Sequence, residues 1–215
     1  MSAVSDYTRQ AEARAPALFG RVMFLVAVTV GFATLGVLIA KDWGGSSWFI
    51  AWLLALGCLI GLNVANARGN TGLALTLLFG FGLLIGVSIA ATVDFYAATD
   101  PTAVRQAFGA TALTVGGLGS IGYAIRRDLS YLYRAMFWLL LAFLVAGIVL
   151  IFTRIPAANT AWAIGGIVIF GAYTVLDFNR LRHAGTESAI PIAASIFIDV
   201  LNIFLLFLRL FGGRG

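Results

Sequence analysis

Several chemically versatile residues are nearly absent from this chain of 215 residues, which holds one cysteine, one histidine and one lysine. The single cysteine, Cys58, excludes an internal disulfide framework. The single lysine, Lys41, lies between two apolar runs, which excludes a retinal-binding protein, because such a protein needs a lysine in its last helix. The sequence also has no cluster of metal ligands, no phosphate-binding glycine loop and no nucleophile triad. We therefore expect no enzyme activity and no cofactor.

Charged residues are scarce as well, at 11% of the chain, whereas hydrophobic residues make up 61%. A water-soluble domain of this length does not need so much apolar surface, so the composition predicts a membrane protein in contact with lipid. The net charge of +5 does not predict a nucleic-acid partner, because the basic residues stand at the ends of apolar runs. We expect no cleavable signal peptide, because no small-residue cleavage site follows the first run.

Seven apolar runs divide the chain, each close to the ~20 residues that a helix needs to cross a bilayer. The runs are Val22–Ala40, Trp48–Ala65, Thr71–Val93, Ala107–Ile125, Ala135–Phe152, Thr160–Leu176 and Ile190–Leu208. Helices are expected because lipid offers no partner for unpaired backbone groups, and a barrel would show short alternating strands instead. The sequence therefore predicts an all-α membrane protein with an N-terminal cytoplasmic segment (1–21) and a domain of seven transmembrane helices (22–211).

Lysine and arginine are distributed unevenly between the two ends of the predicted spans. With the N-terminus inside, the inner segments hold nine of the 14 basic residues: Arg9, Arg14, Arg21, Arg68, Arg126, Arg127, Arg134, Arg180 and Arg182. The outer segments hold the other five: Lys41, Arg105, Arg154, Arg209 and Arg214. This bias predicts a cytoplasmic N-terminus and fits a multi-pass protein of a bacterial inner membrane, without excluding an organelle.

Two aspartates stand in the last two apolar segments. Asp199 lies near the centre of the seventh run, where an isolated charge costs about 2.5–3.5 kcal/mol or more. Asp177 directly follows Leu176, the last residue of the sixth run. Polar residues lie one helical turn from each acid: Ser195 and Asn202 beside Asp199, and Tyr173 and Arg180 beside Asp177. Because these polar stripes would otherwise face lipid, we expect the two acids to face each other.

A pair of close carboxyl groups in a low-dielectric environment responds to both protons and cations. The two groups do not both ionise easily, so they tend to share one proton and to titrate in two steps. When both are ionised, they offer the hard oxygen ligands that suit Ca²⁺. Two carboxylates are too few for a tight calcium cage, so we expect weak or transient Ca²⁺ binding at Asp177 and Asp199, completed by water and backbone carbonyls.

A purely structural interpretation of the two acids competes with this one. Asp177 would be the interfacial end of the sixth span, paired with a basic residue that follows it, and Asp199 a satisfied structural acid. A helix that starts near Ala189 places Asp199 about 15 Å into the membrane, whereas Asp177 lies nearer the surface. Contact between them requires a deep start of the seventh span, a kink or intervening water, and Pro191 makes an irregular start credible.

Three segments resemble a known family. GAYTVLDFNRLRH, followed after a short loop by IPIAASIFIDVLNIFLLFLRLFG, resembles the C-terminal signature of the Bax inhibitor family. That signature has a tyrosine and an aspartate ending the sixth helix, then an aspartate, an asparagine and a Leu/Phe run that closes with arginine and glycine. IGYAIRRDLSYL, between the fourth and fifth runs, resembles the family's loop of basic residues, aspartate, leucine and serine. The similarity extends from about Val22 to Gly213.

This resemblance implies a seven-helix fold with the last helix central and the six others around it. It also implies a pH-sensitive calcium leak, in which Asp177 and Asp199 act as proton sensor and gate and Ca²⁺ is the transported ion. Some family members carry a basic residue near the end of the second helix that latches onto the aspartate of the sixth. Arg68 is the basic residue in that part of this chain, and Asn66 is a second position that aligns there.

Two other functional classes remain open. An intramembrane aspartyl protease also uses two membrane aspartates, for acid–base activation of water. It needs a Gly-x-Gly-Asp stretch at the second aspartate, where this chain has Ile196-Phe197-Ile198-Asp199. A membrane scaffold that regulates partners without conducting ions has no distinguishing residue, and the sequence identifies no protein partner. A passive cation path is the most specific interpretation.

Overall fold

A computed structural model shows that the chain is almost entirely helical, with helix in 93% of the structure and no strand among the described residues. The backbone is described for residues 2–41, 43, 47–153 and 156–212, and side chains for residues 17–41, 43, 47–150, 159–185 and 187–212. The side chains of Arg9 and Arg14, and residues Arg154 and Arg214, lie outside this description. The prediction of an all-α fold is confirmed.

Seven α-helices follow one another in the described part of the chain. They are α1 (Ser2–Ala40), α2 (Ser47–Ala67), α3 (Thr71–Thr99), α4 (Pro101–Ala124), α5 (Tyr133–Thr153), α6 (Pro156–His183) and α7 (Ala189–Gly212). Short 3₁₀ turns at Ser130–Leu132 and Thr186–Ser188 precede α5 and α7. Each predicted apolar run lies within one of these helices, except that Ile125 of the fourth run forms the C-terminal cap of α4.

Polar residues determine where α3 and α4 begin. The Asp100 side chain accepts a hydrogen bond of 2.9 Å from the backbone N–H of Ala103, and Pro101 occupies the first turn, where its missing N–H leaves no bond unmade. Asn70 caps the N-terminus of α3 in the same way, because its side chain accepts a hydrogen bond of 3.1 Å from the backbone N–H of Leu73. These caps explain why the helices start after the polar breaks in the sequence.

Six helices are long and apolar enough to cross a membrane, counted over the described residues. They are α1 from Ala17 onward, α2, α3, α5, α6 and α7. The remaining helix, α4, has 24 residues, which is sufficient length, but its glycines and hydroxyl residues make it less apolar. The chain is thus a multi-pass membrane protein, and the prediction of seven spans differs from this count at α4 alone.

The chain divides into two compact units. The first unit comprises Met1–Ala91 and Leu181–Phe197, and the second comprises Thr92–Arg180 and Ile198–Gly215. Within the first unit α1 lies directly on α3, because a Cβ at Gly82 would come within 2.7 Å of the Thr29 carbonyl oxygen. Small residues at such positions let two helix backbones approach closely.

The last helix, α7, contributes to both units and is the most buried of the six candidate spans. In the most apolar stretch of α7, 56% of the residues are buried inside the protein, whereas none of the residues is buried in the most apolar stretch of α5. In the second unit, Ile203 and Leu206 of α7 form a buried cluster with Ala163 and Phe170 of α6. A central last helix requires such burial, and α7 meets that requirement.

Candidate functional site

Asp177 and Asp199 both belong to the second unit, and the structure brings their carboxyl groups together. Asp177, on α6, is 0% exposed, and Asp199, on α7, is 3% exposed. The Asp199 carboxyl group forms a hydrogen bond with that of Asp177. Two carboxyl groups can form such a bond only when one of them carries a proton. The arrangement therefore fits a pair that holds a single shared proton.

The C-terminal part of α6 is enclosed by protein. The helix continues beyond Leu176 to His183, and Phe178, Asn179 and Leu181 are buried together with Asp177. Enclosure of this stretch argues against the interpretation of Asp177 as an interfacial residue.

Tyr133, the first residue of α5, is a member of the site that the sequence did not identify. Its hydroxyl group donates a hydrogen bond of 2.5 Å to Oδ1 of Asp177. The only hint in the sequence was the basic loop that resembles the family pattern, which ends at Leu132, immediately before this tyrosine. The site therefore draws on three helices, α5, α6 and α7.

Thr174, on α6, is a second site residue that the sequence did not identify. Its buried hydroxyl donates a bond of 2.9 Å to the carbonyl of Phe170 and also forms a hydrogen bond with Asp199. Because a hydroxyl has one proton, Thr174 donates either to the carbonyl of Phe170 or to the carboxyl group of Asp199 at any one time. Oδ2 of Asp199 is buried and has no hydrogen-bond partner among the described residues. A buried charged oxygen without a partner is costly, which again favours a shared proton.

The three predicted supporting residues occupy different positions. Tyr173 is half-buried, interacts electrostatically with both aspartates, and its ring centroid is 6.3 Å from that of Tyr133. Asn202 donates a bond of 2.8 Å to the carbonyl of Ile198 in its own helix. Ser195 belongs to the first unit and is half-buried there.

Asn179, another residue that the sequence did not identify, fixes the loop between α4 and α5 (residues 125–132, the α4–α5 loop). Its side chain is 1% exposed, and its Oδ1 accepts a bond of 2.9 Å from the N–H of Leu129. Its Nδ2 donates to the carbonyls of Ile125 at 2.9 Å, Arg127 at 3.1 Å and Gly122 at 3.4 Å. A single buried amide, two residues after Asp177, thus binds the loop through its backbone.

A cavity of about 340 Å³ lies in the second unit, beside the aspartate pair. Its lining is mainly apolar and comes from the end of α3 and from α5, α6 and α7: Thr92, Tyr96, Phe143, Leu144, Trp162, Phe170, Asn202, Leu205, Leu206 and Arg209. Phe170 lies one helical turn before Thr174, and Asn202 lies one turn after Asp199. The lining of the cavity is therefore one turn from Asp199 along α7, at Asn202, and two turns from Asp177 along α6, at Phe170.

Arg209 provides the positive charge of this cavity and is held in a defined position. Its Nη2 donates a bond of 3.0 Å to Oδ1 of Asn159. Its guanidinium carbon lies 5.2 Å from the ring centroid of Trp162, and this indole stacks on Phe143 at 4.6 Å between centroids. The cation–π contact and the hydrogen bond together orient the guanidinium group.

The proposed latch residue, Arg68, lies in the first unit. It is exposed in the turn after α2, and its backbone N–H donates a bond of 3.1 Å to the carbonyl of Val64. Asn66, the alternative position, is half-buried two residues earlier, near the end of α2. A latch between Arg68 and Asp177 stays a prediction.

Metal-ligand groups are few in the described residues, where no three side chains among His, Cys, Asp and Glu come together. Any divalent cation at the aspartate pair would therefore need water and carbonyl oxygens in addition to Asp177 and Asp199. Two carboxylates alone are too few ligands to hold a divalent cation tightly.

Comparison with known proteins gives matches along most of the chain. Residues 16–215 match the model of the family described as inhibitor of apoptosis-promoting Bax1. Inner membrane protein YbhL of Escherichia coli K12 is 24% identical over 223 aligned positions, which cover 88% of this chain and 91% of YbhL. Protein YrjE of Lactococcus lactis is 28% identical over 180 positions, which cover 80% of this chain and 75% of YrjE. An uncharacterized membrane protein of Vibrio cholerae is 26% identical over 162 positions, covering 74% of this chain and 72% of that protein.

Proposed function

This chain belongs to the Bax inhibitor family, and on that premise we propose that it conducts Ca²⁺ passively across a membrane under the control of the Asp177–Asp199 pair. The observation that carries the proposal is the contact between two buried carboxyl groups on adjacent helices. Ionisable groups inside a membrane protein are costly, and as a rule they mark pathways for ions or protons.

The protonation state of the pair decides how strongly it attracts a cation. At low pH the pair keeps its proton and offers a weakly charged, hydrogen-bonded unit. As the pH rises the shared proton leaves, and two adjacent negative charges attract a divalent cation. These charges also repel each other, which favours a conformation in which the carboxyl groups separate. We therefore expect Ca²⁺ flux to increase with pH.

The cavity beside the pair supports a route for the ion. Its lining is one turn from Asp199, at Asn202, and two turns from Asp177, at Phe170. Its outer part carries the fixed guanidinium group of Arg209. We propose that the cavity is one half of the cation path and that Arg209 opposes the entry of cations there, because like charges repel.

The cellular setting follows from the relatives and the charge bias. Because YbhL is named an inner membrane protein, we propose a bacterial inner membrane, with the N-terminus in the cytoplasm according to the arginine distribution. Lipid and Ca²⁺ are the proposed partners, with no cofactor, no nucleic acid and no enzyme activity. A latch between Arg68 and Asp177 is part of the same proposal.

Two other functions stay as alternatives. A regulatory scaffold would use the aspartate pair for structure only and would conduct nothing. An intramembrane aspartyl protease would use the same two carboxyl groups to activate water, but it would lack the glycines that such enzymes have beside the second aspartate.

Purified protein in liposomes distinguishes the three classes. Vesicles that contain a Ca²⁺ indicator are prepared with and without the protein, with the same pH on both sides of the membrane. Protein-dependent Ca²⁺ entry that changes with pH supports the leak. The same vesicles are supplied with a transmembrane peptide substrate: cleavage without flux supports the protease, and neither flux nor cleavage supports the scaffold.

A further inference from the structure

We infer that the cavity of the second unit binds one acyl chain of an anionic phospholipid, with the phosphate of that lipid on Arg209. The cavity has a volume of about 340 Å³, at the small end of the ~300–1,000 Å³ that is typical of ligand pockets. This volume suits a single chain better than a whole lipid. The inference goes beyond the proposed function, because binding of a lipid does not require that the protein conducts ions.

The lining of the cavity is mainly apolar, as the site of an acyl chain requires. Leucine and phenylalanine side chains of three helices contribute to it: Leu205 and Leu206 of α7, Phe143 of α5 and Phe170 of α6. Among the described lining residues, Arg209 is the one that carries a charge. The cavity thus combines an apolar volume with a single positive group, and this combination is complementary to an amphipathic anion.

The guanidinium group of Arg209 is both oriented and able to bind a phosphate. Its hydrogen bond to Asn159 and its contact with the ring of Trp162 involve neutral partners, so neither of them compensates its charge. The bond to Asn159 uses one of the five N–H donors of the group, and arginine binds phosphate oxygens through two parallel N–H donors. Asp199 lies ten residues earlier in α7, about 15 Å along the helix axis, so the aspartate pair is remote from this end of the cavity.

Arg209 lies where a membrane-spanning helix reaches the lipid headgroups. It is exposed and stands three residues before Gly212, the last residue of α7, and its partner Asn159 stands near the start of α6. Two further lining residues, Trp162 and Tyr96, are of the aromatic types that are enriched at membrane interfaces. Tyr96 also lies against the end of α7, because a Cβ at Gly212 would collide with its ring.

The cavity is open towards the bilayer on one side. Leu144 of α5 lines it and is nevertheless 50% exposed, and the most apolar stretch of α5 has no buried residue. A phospholipid can therefore place one chain in the cavity while its second chain stays among the surrounding lipids. This geometry favours a phospholipid over a free fatty acid as the source of the chain.

The charge of the headgroup decides which phospholipid binds. A chain that moves from the bilayer into an apolar cavity gains little, because lipid tails are as apolar as leucine side chains. The attraction between one arginine and an anionic headgroup strengthens binding about fivefold. A zwitterionic headgroup brings a positive group close to the guanidinium as well, so its net attraction is weaker.

Native mass spectrometry of the purified full-length protein tests the site, because the added mass identifies and counts the bound lipid. The protein is delipidated in detergent and mixed with phosphatidylglycerol, with phosphatidylcholine of the same acyl chains, or with oleate. One phosphatidylglycerol should bind about fivefold more tightly than phosphatidylcholine. Equal affinities for the two phospholipids, or tighter binding of oleate than of phosphatidylglycerol, would overturn the inference.

Three variants test the two parts of the site separately. Arg209→Gln removes the charge and should abolish the preference for phosphatidylglycerol, whereas Arg209→Lys keeps the charge and should preserve part of it. Leu205→Trp fills the cavity while Arg209 stays in place, and it should abolish binding of both phospholipids. Thermal unfolding shows whether each variant is folded. Phosphatidylglycerol should raise the transition temperature of the unmodified protein more than that of Arg209→Gln.

Two matched controls come from α4 and should bind lipid like the unmodified protein. Arg105→Gln removes an exposed arginine whose Nη2 donates a bond of 3.2 Å to Thr102, and Leu113→Trp enlarges a leucine that is 80% exposed. A preference that persists in Arg209→Gln, or that Arg105→Gln also loses, would contradict the site. Lipid binding without Ca²⁺ flux refutes the leak and leaves the lipid site intact, whereas flux without a lipid preference does the reverse.

Discussion

Gly122 of α4 lies directly on the backbone of Val175 of α6, so closely that a Cβ would collide with the carbonyl group. This approach places the end of α4 beside Asn179 and fixes the position of the α4–α5 loop. The close approach of the α4 and α6 backbones therefore depends on the absence of a side chain at Gly122, next to the segment of α6 that carries Asp177.

Replacing this glycine tests the packing. Gly122→Ala should lower stability by about 1–3 kcal/mol, because an added methyl group must push two backbones apart. Gly116→Ala is the matched control in the same helix, since a Cβ at Gly116 meets no atom within 4 Å. Thermal unfolding in detergent measures both variants. Equal transition temperatures for the two would contradict the close contact.

The two aspartates should act as one unit. Asp177→Asn, Asp199→Asn and the double variant should change the pH dependence of Ca²⁺ flux to the same extent, because each removes the shared proton of the pair. Ca²⁺ flux is measured at several pH values in liposomes that contain each variant. The effects of the two single variants are then compared with the effect of the double variant. Effects of the two single variants that add up in the double variant would show that the carboxyl groups titrate independently.

Arg209 should limit entry of cations into the cavity. Arg209→Gln removes the positive charge and should increase Ca²⁺ flux at every pH, without moving the pH at which flux changes. Arg209→Lys keeps the charge, although it loses the planar contact with Trp162, and should conduct close to the unmodified level. Liposome flux measures both. A flux in Arg209→Gln equal to or lower than normal would place the cation path elsewhere.

Arg68 should affect the basal leak if it acts as the latch. Arg68→Ala removes the charge that would hold Asp177, and the leak at resting pH should change, whereas Arg68→Lys should preserve it in part. The comparison uses the same indicator-filled liposomes. An identical basal leak in Arg68→Ala would eliminate the latch.

The sequence predicted the helices well because each depends on local composition. Every apolar run became a helix, and the breaks are marked by residues with local capping roles, such as Asp100 and Asn70. The fourth run was counted as a span by its length, but the glycines of α4 make it less apolar than the other helices. A helix that is rich in small packing residues can thus be long enough to span a membrane and still have a lower hydropathy than the other spans.

The aspartates were identified because a carboxyl group in an apolar run is conspicuous on its own. Tyr133 was not, since its contact with Asp177 spans 44 residues and follows no helical spacing. Asn179 was missed for a related reason: its partners lie at the end of α4 and in the α4–α5 loop, between 50 and 57 residues away. The sixth run was also judged to end at Leu176, because burial of the polar residues that follow depends on contacts with other segments.

The pH profile of Ca²⁺ flux through the Asp199→Asn variant tests the central claim most directly. Asparagine preserves the size of the side chain and can still accept hydrogen bonds, but it cannot share a proton with Asp177. Flux through the unmodified protein should rise between pH 6 and pH 8, and flux through Asp199→Asn should stay at one level over the same range. A variant that folds, inserts and keeps the unmodified pH profile would contradict the role of the pair as the proton-controlled gate.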